Sequence, residues 1–399
     1  MRSFVFSKRQ VVLAAVLIFS ITGCAWDGHD KHVTSAKDRL NIARAKMMLP
    51  MAMDQFLAGD LIESKRSVGD ALQHDPANAD FLVLAGRIEI EQHRRKRALK
   101  FLDKAIENDE NHAPAHYYRG IVLQQWHKLE EAQSNYEKAF GLDPERPSYL
   151  LAIVEMLVAR DRVDEALGLL VTHEIEFEYN AGVNLALGHL LTMKDDHDAA
   201  LRYYRQAHLY NLEDPRILEE LATGQIAAGR SRDAIRTLKQ LTEHPGYRDR
   251  HDIKRMLAGA YQHVGRKRQA RDIYMRLTRR DSEDWESWLR LGEMIWSDGD
   301  TAGALRASQR VIDLAPDRHE GYLLAGMVWM GRGRSSHALK MFKMATDAVP
   351  DSARAAIMYG VALQKAGRRS EAADAYRRAL DNEPTSTRIR KLLAQVKAK

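Results

Sequence analysis

Two histidines at a metal-ligand spacing are the first residues of the sequence that could carry chemistry. His112 and His116 are four residues apart, the spacing at which two imidazoles on one helix face bind zinc in zinc proteases. Pro114 lies between them, and no glutamate stands beside His112 to act as a general base. We therefore interpret the pair as part of a junction between repeated elements and predict no metal there.

Two other clusters combine histidine with acid. The first is Asp195-Asp196-His197-Asp198, which we interpret as a solvated turn. The second comprises Asp27, His29 and His32, which could bind a divalent metal only weakly because they have no fixed geometry. The phosphate-binding loop Gly-x-x-x-x-Gly-Lys-Ser/Thr, the dinucleotide glycine pattern and the Gly-x-Ser-x-Gly elbow do not occur in the sequence. The sequence predicts no catalytic residues and no cofactor.

The charge of the chain argues against a dedicated nucleic-acid binder. The 399 residues carry a formal charge of +6, but residues 1–23 hold three basic residues and no acid, so the rest carries +3. Proteins that bind nucleic acid usually have a basic stripe and a larger excess of positive charge. We therefore expect no nucleic acid among the partners.

The N-terminal segment has the organisation of a secretory signal. Arg2, Lys8 and Arg9 precede an apolar stretch of about 12 residues, which is short for a membrane span of roughly 20 residues. Ser20-Ile21-Thr22-Gly23 follows, and then comes the only cysteine of the chain, Cys24. The segment predicts a cleaved signal over residues 1–23, and the alternative is an uncleaved anchor with an incidental cysteine.

Ile21-Thr22-Gly23-Cys24 resembles the bacterial lipobox, in which the cysteine is acylated and becomes the mature N-terminus. The resemblance implies a lipoprotein held on a membrane by Cys24, since each buried methylene of an acyl chain contributes about 0.8 kcal/mol. Ala25 follows the cysteine, whereas an aspartate at that position favours retention in the inner membrane of Gram-negative bacteria. We therefore expect an outer-membrane lipoprotein that faces the periplasm.

Elements that repeat every 34 residues make up most of the remaining chain. Small residues recur at this spacing, with one step of 36 residues, and small residues follow again 12 and 19 positions later in most copies. A period of 34 residues accommodates two helices of about 12–15 residues each, joined by short turns. The first position of this series is occupied by Ala52, Gly86, Gly120, Val154, Gly188, Ala222, Ala258, Gly292, Gly326 and Gly360.

Glycines also mark the predicted turns inside the helix pairs. A reversal of the chain requires a left-handed backbone, which glycine adopts at little cost. Small residues where the two helices cross allow close approach, and Ala132 with Tyr136 places an aromatic ring on the same helical face. The predicted turn positions are Gly59, Gly229, Gly265, Gly299, Gly333 and Gly367.

The pattern resembles the tetratricopeptide repeat family. Trp288-x-x-Leu291-Gly292 and the series Gly120, Ala132, Ala139 and Pro144 match the consensus of that family closely, whereas Val154 and His173 depart from it. The resemblance implies an all-α, right-handed superhelical solenoid of about ten helix-turn-helix units. We predict a tether and lead-in helix over residues 24–44, ten repeats over residues 45–384, and a capping helix over residues 385–399.

The resemblance also implies that the first helix of each repeat lines a concave surface. Applied to the last three repeats, it gives an apolar stripe that is a candidate groove for a protein partner. The alternative is that the stripe is covered by the capping helix or by neighbouring turns. The stripe comprises Leu289, Trp296, Leu323, Met327, Met330, Ile357 and Val361.

A basic patch lies in the longer link between the sixth and seventh repeats. It comprises Arg248, Arg250, Lys254 and Arg255, which could meet anionic headgroups or an acidic polysaccharide or form an ordinary solvated face.

Two functions therefore compete. The first is a lipid-anchored, non-catalytic scaffold that holds protein components of an envelope machine for pilus assembly, secretion or exopolysaccharide export. The second is binding of an anionic polysaccharide or a peptidoglycan strand in the periplasm.

Overall fold

The structure is a computed structural model that describes residues 40–397, apart from residues 42 and 46. The predicted signal segment, Cys24 and most of the predicted tether lie outside the described residues. The chain divides between Asp196 and His197 into two compact units.

The first unit is built from helices and turns wherever it is described. Residues on both sides of the predicted boundary at 44/45 are helical, so one helix covers the end of the lead-in segment and the start of the first repeat. Its helices are α1 (40–57, apart from the undescribed residues 42 and 46), α2 (Leu61–His74), α3 (Ala79–Glu91), α4 (Arg95–Asn108), α5 (Ala113–Gln124), α6 (Leu129–Leu142), α7 (Pro147–Ala159), α8 (Val163–Thr172) and α9 (Ala181–Met193).

The second unit continues the same alternation. Its helices are α10 (His197–Tyr210), α11 (Pro215–Ala227), α12 (Ser231–Glu243), α13 (His251–His263), α14 (Lys267–Arg280), α15 (Trp285–Ser297), α16 (Thr301–Leu314), α17 (Glu320–Gly331), α18 (Ser335–Ala348), α19 (Ala353–Lys365), α20 (Arg369–Asn382) and α21 (Thr387–Lys397).

Neighbouring helices pack in pairs within each unit. Each helix contacts the next along the chain, and first helices of successive repeats also touch, as α3 touches α5 and α17 touches α19. The first helices therefore lie side by side and share one surface. The predicted all-α array of helix pairs is confirmed.

The predicted small residues lie where paired helices approach most closely. A Cβ atom at Gly120 would lie 2.5 Å from the ring of Tyr136, and one at Gly326 would lie 2.5 Å from the ring of Phe342. Both rings are almost completely buried. The absence of a side chain thus creates the space that the aromatic ring of the second helix fills.

The turns inside the helix pairs use the left-handed backbone that the glycines predict. The six predicted glycines have φ between +69° and +90°. Four positions at the same register lack glycine yet adopt φ of 56° to 58°, a conformation that is unfavourable for residues with a Cβ. These positions are His93, His127, Asp161 and Asp195.

One hydrogen bond recurs at the start of the first helices, although the residues that make it differ. A side-chain donor four residues before the small position reaches back six residues to a backbone carbonyl of the preceding turn, which satisfies a carbonyl beyond the previous helix. The donor and acceptor pairs are His116 with Glu110, Asn184 with Glu178, Trp288 with Ser282, Tyr322 with Pro316 and Arg390 with Pro384.

The last of these bonds assigns a register to the predicted capping helix. Arg390 lies in α21, so this helix occupies the place of the first helix of a further repeat. Ile389 and Val396 are buried in the cluster that α19, α20 and α21 share. The helix therefore covers the apolar face that the tenth repeat would otherwise expose.

Candidate functional site

A cavity of about 650 Å³ lies on the first helices of the second unit. Helices α13, α15, α17 and α19 all contribute to its lining. Three residues of the predicted stripe, Leu289, Leu323 and Met327, meet there. Glu286 and Glu293 line it as well, so the cavity combines apolar and charged groups.

The other residues of the predicted stripe contribute mainly to packing. Trp296 is half-buried and packs against the cluster that contains Leu289. Met330 packs on the cluster around Phe342. Ile357 and Val361 pack against the cluster that includes buried residues of α21. The structure thus brings three residues of the stripe into one cavity and distributes the others among neighbouring clusters.

Arginines of this cavity are held by acidic side chains. Arg255 donates to Asp284 at 2.9 Å and its other terminal nitrogen lies 2.7 Å from Glu286, while Arg290 lies 3.0 Å from Glu293. Burial acts to raise the pKa of Asp284, but hydrogen bonds from Ser287 and the charge of Arg255 hold this pKa below its usual value. Asp284 is therefore ionised at neutral pH and compensates much of the charge of Arg255.

A third arginine of the same cavity is held by an aromatic ring. The Arg318 guanidinium lies 4.6 Å from the centre of the Trp285 ring and 3.9 Å from a carboxylate oxygen of Glu320. Arg318 thus has both an aromatic and an acidic partner, and stacking on Trp285 fixes the plane of its guanidinium.

The residues of the predicted basic patch do not behave alike. Arg250 donates to both oxygens of Glu219, at 2.6 and 2.7 Å, and also to Asp252. These acids raise the pKa of Arg250 above its usual value. Arg255 belongs to the cavity of the second unit, whereas Arg248 is exposed and Lys254 is half-buried. Much of the positive charge of the patch is therefore compensated within the chain.

A second cavity, of about 240 Å³, lies in the first unit and was not predicted. Helices α1, α3, α5 and α7 line it, so it occupies the same face of the repeats as the larger cavity. Its lining includes Met53, Arg87 and a group of tyrosines, Tyr117, Tyr118 and Tyr149. Within their repeats, Met53 and Arg87 occupy the position that Met327 has in the predicted stripe, and Tyr117 occupies the position of Leu323.

The tyrosines of this smaller cavity form a connected group. The ring of Tyr117 lies 4.8 Å from that of Tyr149 and 5.3 Å from that of Tyr118, centre to centre. Burial, together with the neighbouring Tyr118 and Glu155, raises the pKa of Tyr117. Its hydroxyl is therefore neutral at physiological pH and can serve as a hydrogen-bond donor.

The histidines with metal-ligand spacing have structural partners in the first unit. His112 caps α5, because its Nδ1 accepts from the amide of Ala115 at 3.3 Å, and its Nε2 donates to Asp80 at 3.0 Å. The hydrogen bond from His112 holds the pKa of Asp80 below its usual value. Nε2 of His116 donates to the carbonyl of Glu110. Pro114 lies in the first turn of α5, where proline is tolerated.

The histidines and acids of the described part of the chain are not grouped as a metal site. Within residues 40–397, apart from the two gaps, no group of three or more His, Cys, Asp and Glu side chains is arranged to hold a metal. At the acidic turn, Asp198 lies 3.0 Å from Arg230. Over the same residues, no helix has both the length and the apolar character that a bilayer span requires.

Comparisons with known proteins point to one repeat family. One family model, described as tetratricopeptide repeat, matches residues 55–119 and 330–396, and a second model of the same description matches residues 255–319. No curated protein matches the sequence.

Two solved structures have a similar fold. A structure from the functional characterization of Pseudomonas aeruginosa pilF is 18% identical, with a TM-score of 0.48, over 55% of this chain and 99% of that one. The APC/C hetero-tetramer Cut9-Hcn1 is 12% identical, with a TM-score of 0.44, over 88% of this chain and 90% of that one.

Proposed function

The chain belongs to the tetratricopeptide repeat family, and from this premise we propose that it is a lipid-anchored scaffold of a bacterial envelope machine. Proteins of this family are generally non-catalytic and bind other proteins, so a scaffold for protein–protein interaction is the function that the repeats support. The proposal adds that Cys24 carries the lipid and that the protein faces the periplasm from the outer membrane. The machine is one for pilus assembly, secretion or exopolysaccharide export.

The observation that carries the proposal is the cavity on α13, α15, α17 and α19. It extends across four consecutive repeats, which is the arrangement that an extended protein segment needs. Leu289, Leu323 and Met327 offer apolar contacts, and methionine adapts to different partner side chains. Charged groups at the edge, such as Arg318 over Trp285, provide direction and specificity.

Photo-crosslinking in the native host tests this proposal. A photoreactive residue replaces Met327 in the cavity, and the matched control replaces Met344, which is exposed on the second helix α18. We expect position 327 to capture one dominant envelope protein and position 344 to capture little. The Cys24→Ser variant should leave the membrane fraction and lose that crosslink. Crosslinks from position 327 to this chain alone would contradict the scaffold, and a membrane-bound Cys24→Ser variant would contradict the lipid anchor.

A further inference from the structure

Arg87 lines the smaller cavity and has no acidic partner among the described residues. Its guanidinium carbon lies 4.5 Å from the centre of the Phe56 ring and 4.9 Å from that of Tyr118. Nη1 contacts the sulfur of Met53 at 3.4 Å, which is a weak acceptor. Nε is buried and has no hydrogen-bond partner among the described residues, and no carboxylate within that part of the chain lies within 4.0 Å.

Packing alone does not account for an arginine in this state. A buried donor that makes no hydrogen bond costs about 1–3 kcal/mol, and an arginine brought out of water normally has an acid beside it. Arg119, in the first helix of the next repeat, has such an acid, since its Nε donates to Asp103 at 2.8 Å. Arg87 instead has a ring from α1 on one side and a ring from α5 on the other.

The two aromatic rings hold the guanidinium of Arg87 in an orientation that suits an anionic ligand. A guanidinium held near aromatic rings is fixed in orientation, and its planar fork matches the two oxygens of a carboxylate. The carboxylate of Asp80, which also lines the cavity, already accepts from His112. Arg146, which also lines the cavity, is bound to Asp143 at 2.8 Å. Arg87 is therefore the lining group with unused capacity for an anion.

We propose that the smaller cavity binds an aspartate or glutamate side chain in an extended segment of a protein partner, with Arg87 as the anion-binding residue. A volume of about 240 Å³ accepts one or two side chains, and small-molecule sites are usually larger, about 300–1,000 Å³. The tyrosines beside Arg87 offer apolar faces and a hydroxyl donor to the residue that flanks the acid. The inference rests on the proposed scaffold function and names the chemistry of one partner segment.

Two synthetic peptide pools provide the probe for the full-length protein. Both are seven residues long and randomised except at the central position, which is glutamate in one pool and glutamine in the other. We expect the glutamate pool to bind at least tenfold more tightly at low salt. We expect this preference to disappear in Arg87→Met, which keeps an unbranched side chain and removes the charge, and to persist partly in Arg87→Lys.

Arg119→Met is the matched control, because it removes an arginine of the neighbouring repeat that already has an acidic partner. It should keep the preference for glutamate, and thermal melting should verify that each variant folds. Equal binding of the two pools, or a preference that survives Arg87→Met, would overturn the inference. Competition by polygalacturonate without any glutamate preference would assign the site to an acidic sugar instead.

The crosslinking experiment separates this inference from the scaffold function. A partner captured at position 327 together with equal binding of the two pools would refute only the acidic side chain. A preference for glutamate that depends on Arg87, without any captured protein, would refute only the envelope scaffold as proposed.

Discussion

The cavities of the two units occupy the same face of the repeat, but their arginines have different partners. In the second unit, Arg255 is bound to Asp284 and Glu286, both supplied by the next repeat. In the first unit, Arg87 lies between the rings of Phe56 and Tyr118 and has no acidic partner among the described residues. The same backbone arrangement therefore produces a compensated surface in one unit and a cation with unused binding capacity in the other.

The residues that cap the first helices also differ between the two units. In α15 the cap is Asp284, whose side chain is 5% exposed and is shared between its own helix and Arg255. At the same register in the first unit the caps of α3, α5 and α7 are Asn78, His112 and Arg146. None of these three can supply a buried negative charge to a neighbouring arginine. The same fold therefore accommodates different charges on the surface that the first helices share.

Removing the acid at the cap of α15 should have the largest effect. Asp284→Ala deletes the acceptor for the Ser287 amide at 3.1 Å and leaves Arg255 half-buried beside a single carboxylate. We expect a loss of about 3 kcal/mol, because loss of the cap adds to loss of a buried ion-pair partner. Native-state hydrogen exchange should show amides of α15 opening about a hundredfold faster.

Asn78→Ala is the matched change in the first unit. Asn78 caps α3 by accepting from the amide of Phe81 at 3.3 Å, but it holds no arginine. We expect a loss of about 1 kcal/mol, the usual effect of losing a cap. Asp214→Ala provides a second control, since Asp214 caps α11 and, among the described residues, forms an ion pair only with the exposed Arg216. Equal losses for Asp284 and Asn78 would show that the pairing with Arg255 contributes little.

The helix crossings should behave alike in both units. Gly120→Ala and Gly326→Ala each place a Cβ atom 2.5 Å from a buried ring, so the ring or the helix must move. Overpacking of this kind costs about 2 kcal/mol, and we expect the same loss from both substitutions in urea denaturation. Gly259→Ala is the control in a helix interior, because no atom lies within 4 Å of its Cβ position.

That control should be neutral or stabilising by up to about 1 kcal/mol, as alanine is the better helix former. A large loss at Gly326 with none at Gly120 would mean that the two units differ in their packing as well as in their charges. Losses of similar size would confine the difference between the units to the inner surface and the turns.

Spacing in the sequence predicts the helix pairs because each repeat needs a small residue where its helices cross and a reversal of the chain between them. The positions of Gly120 and Gly326 must be small, and Gly265 and Gly333 must reverse the chain, so residue type alone identifies them. His127 and Asp161 adopt the left-handed backbone of the turn without being glycine, so only their position in the repeat identifies them as turn residues. A local backbone requirement can therefore be read from composition only where the sequence has adopted the least strained residue.

The inner surfaces are harder to predict, because their chemistry depends on pairs of residues from different repeats. Arg255 and Asp284 are 29 residues apart, and Arg87 contacts rings that come from the repeats on both sides of it. Position in the repeat predicts that Leu289, Leu323 and Met327 line one cavity. Position in the repeat does not show which arginine forms an ion pair, because that depends on the direction of its side chain and on the residue that caps the next helix.

The turns provide the smallest expected effect and the last contrast between the units. In the first unit His93, His127 and Asp161 hold a left-handed backbone, whereas the corresponding turns of the second unit have glycine, as at Gly265. A residue with a Cβ costs roughly 1–2 kcal/mol in this conformation. Asp161 is exposed and makes no side-chain hydrogen bond among the described residues, so replacing it removes little else.

We therefore expect Asp161→Gly to stabilise the protein by about 1 kcal/mol in urea denaturation and Gly265→Ala to destabilise it by a similar amount. Asp161→Ala is the control, because it removes the charge of Asp161 but keeps a Cβ in the left-handed turn. If Asp161→Ala were as stabilising as Asp161→Gly, the gain would come from the lost charge. If only the glycine variant gains, the left-handed backbone at Asp161 carries strain that a glycine turn such as Gly265 avoids.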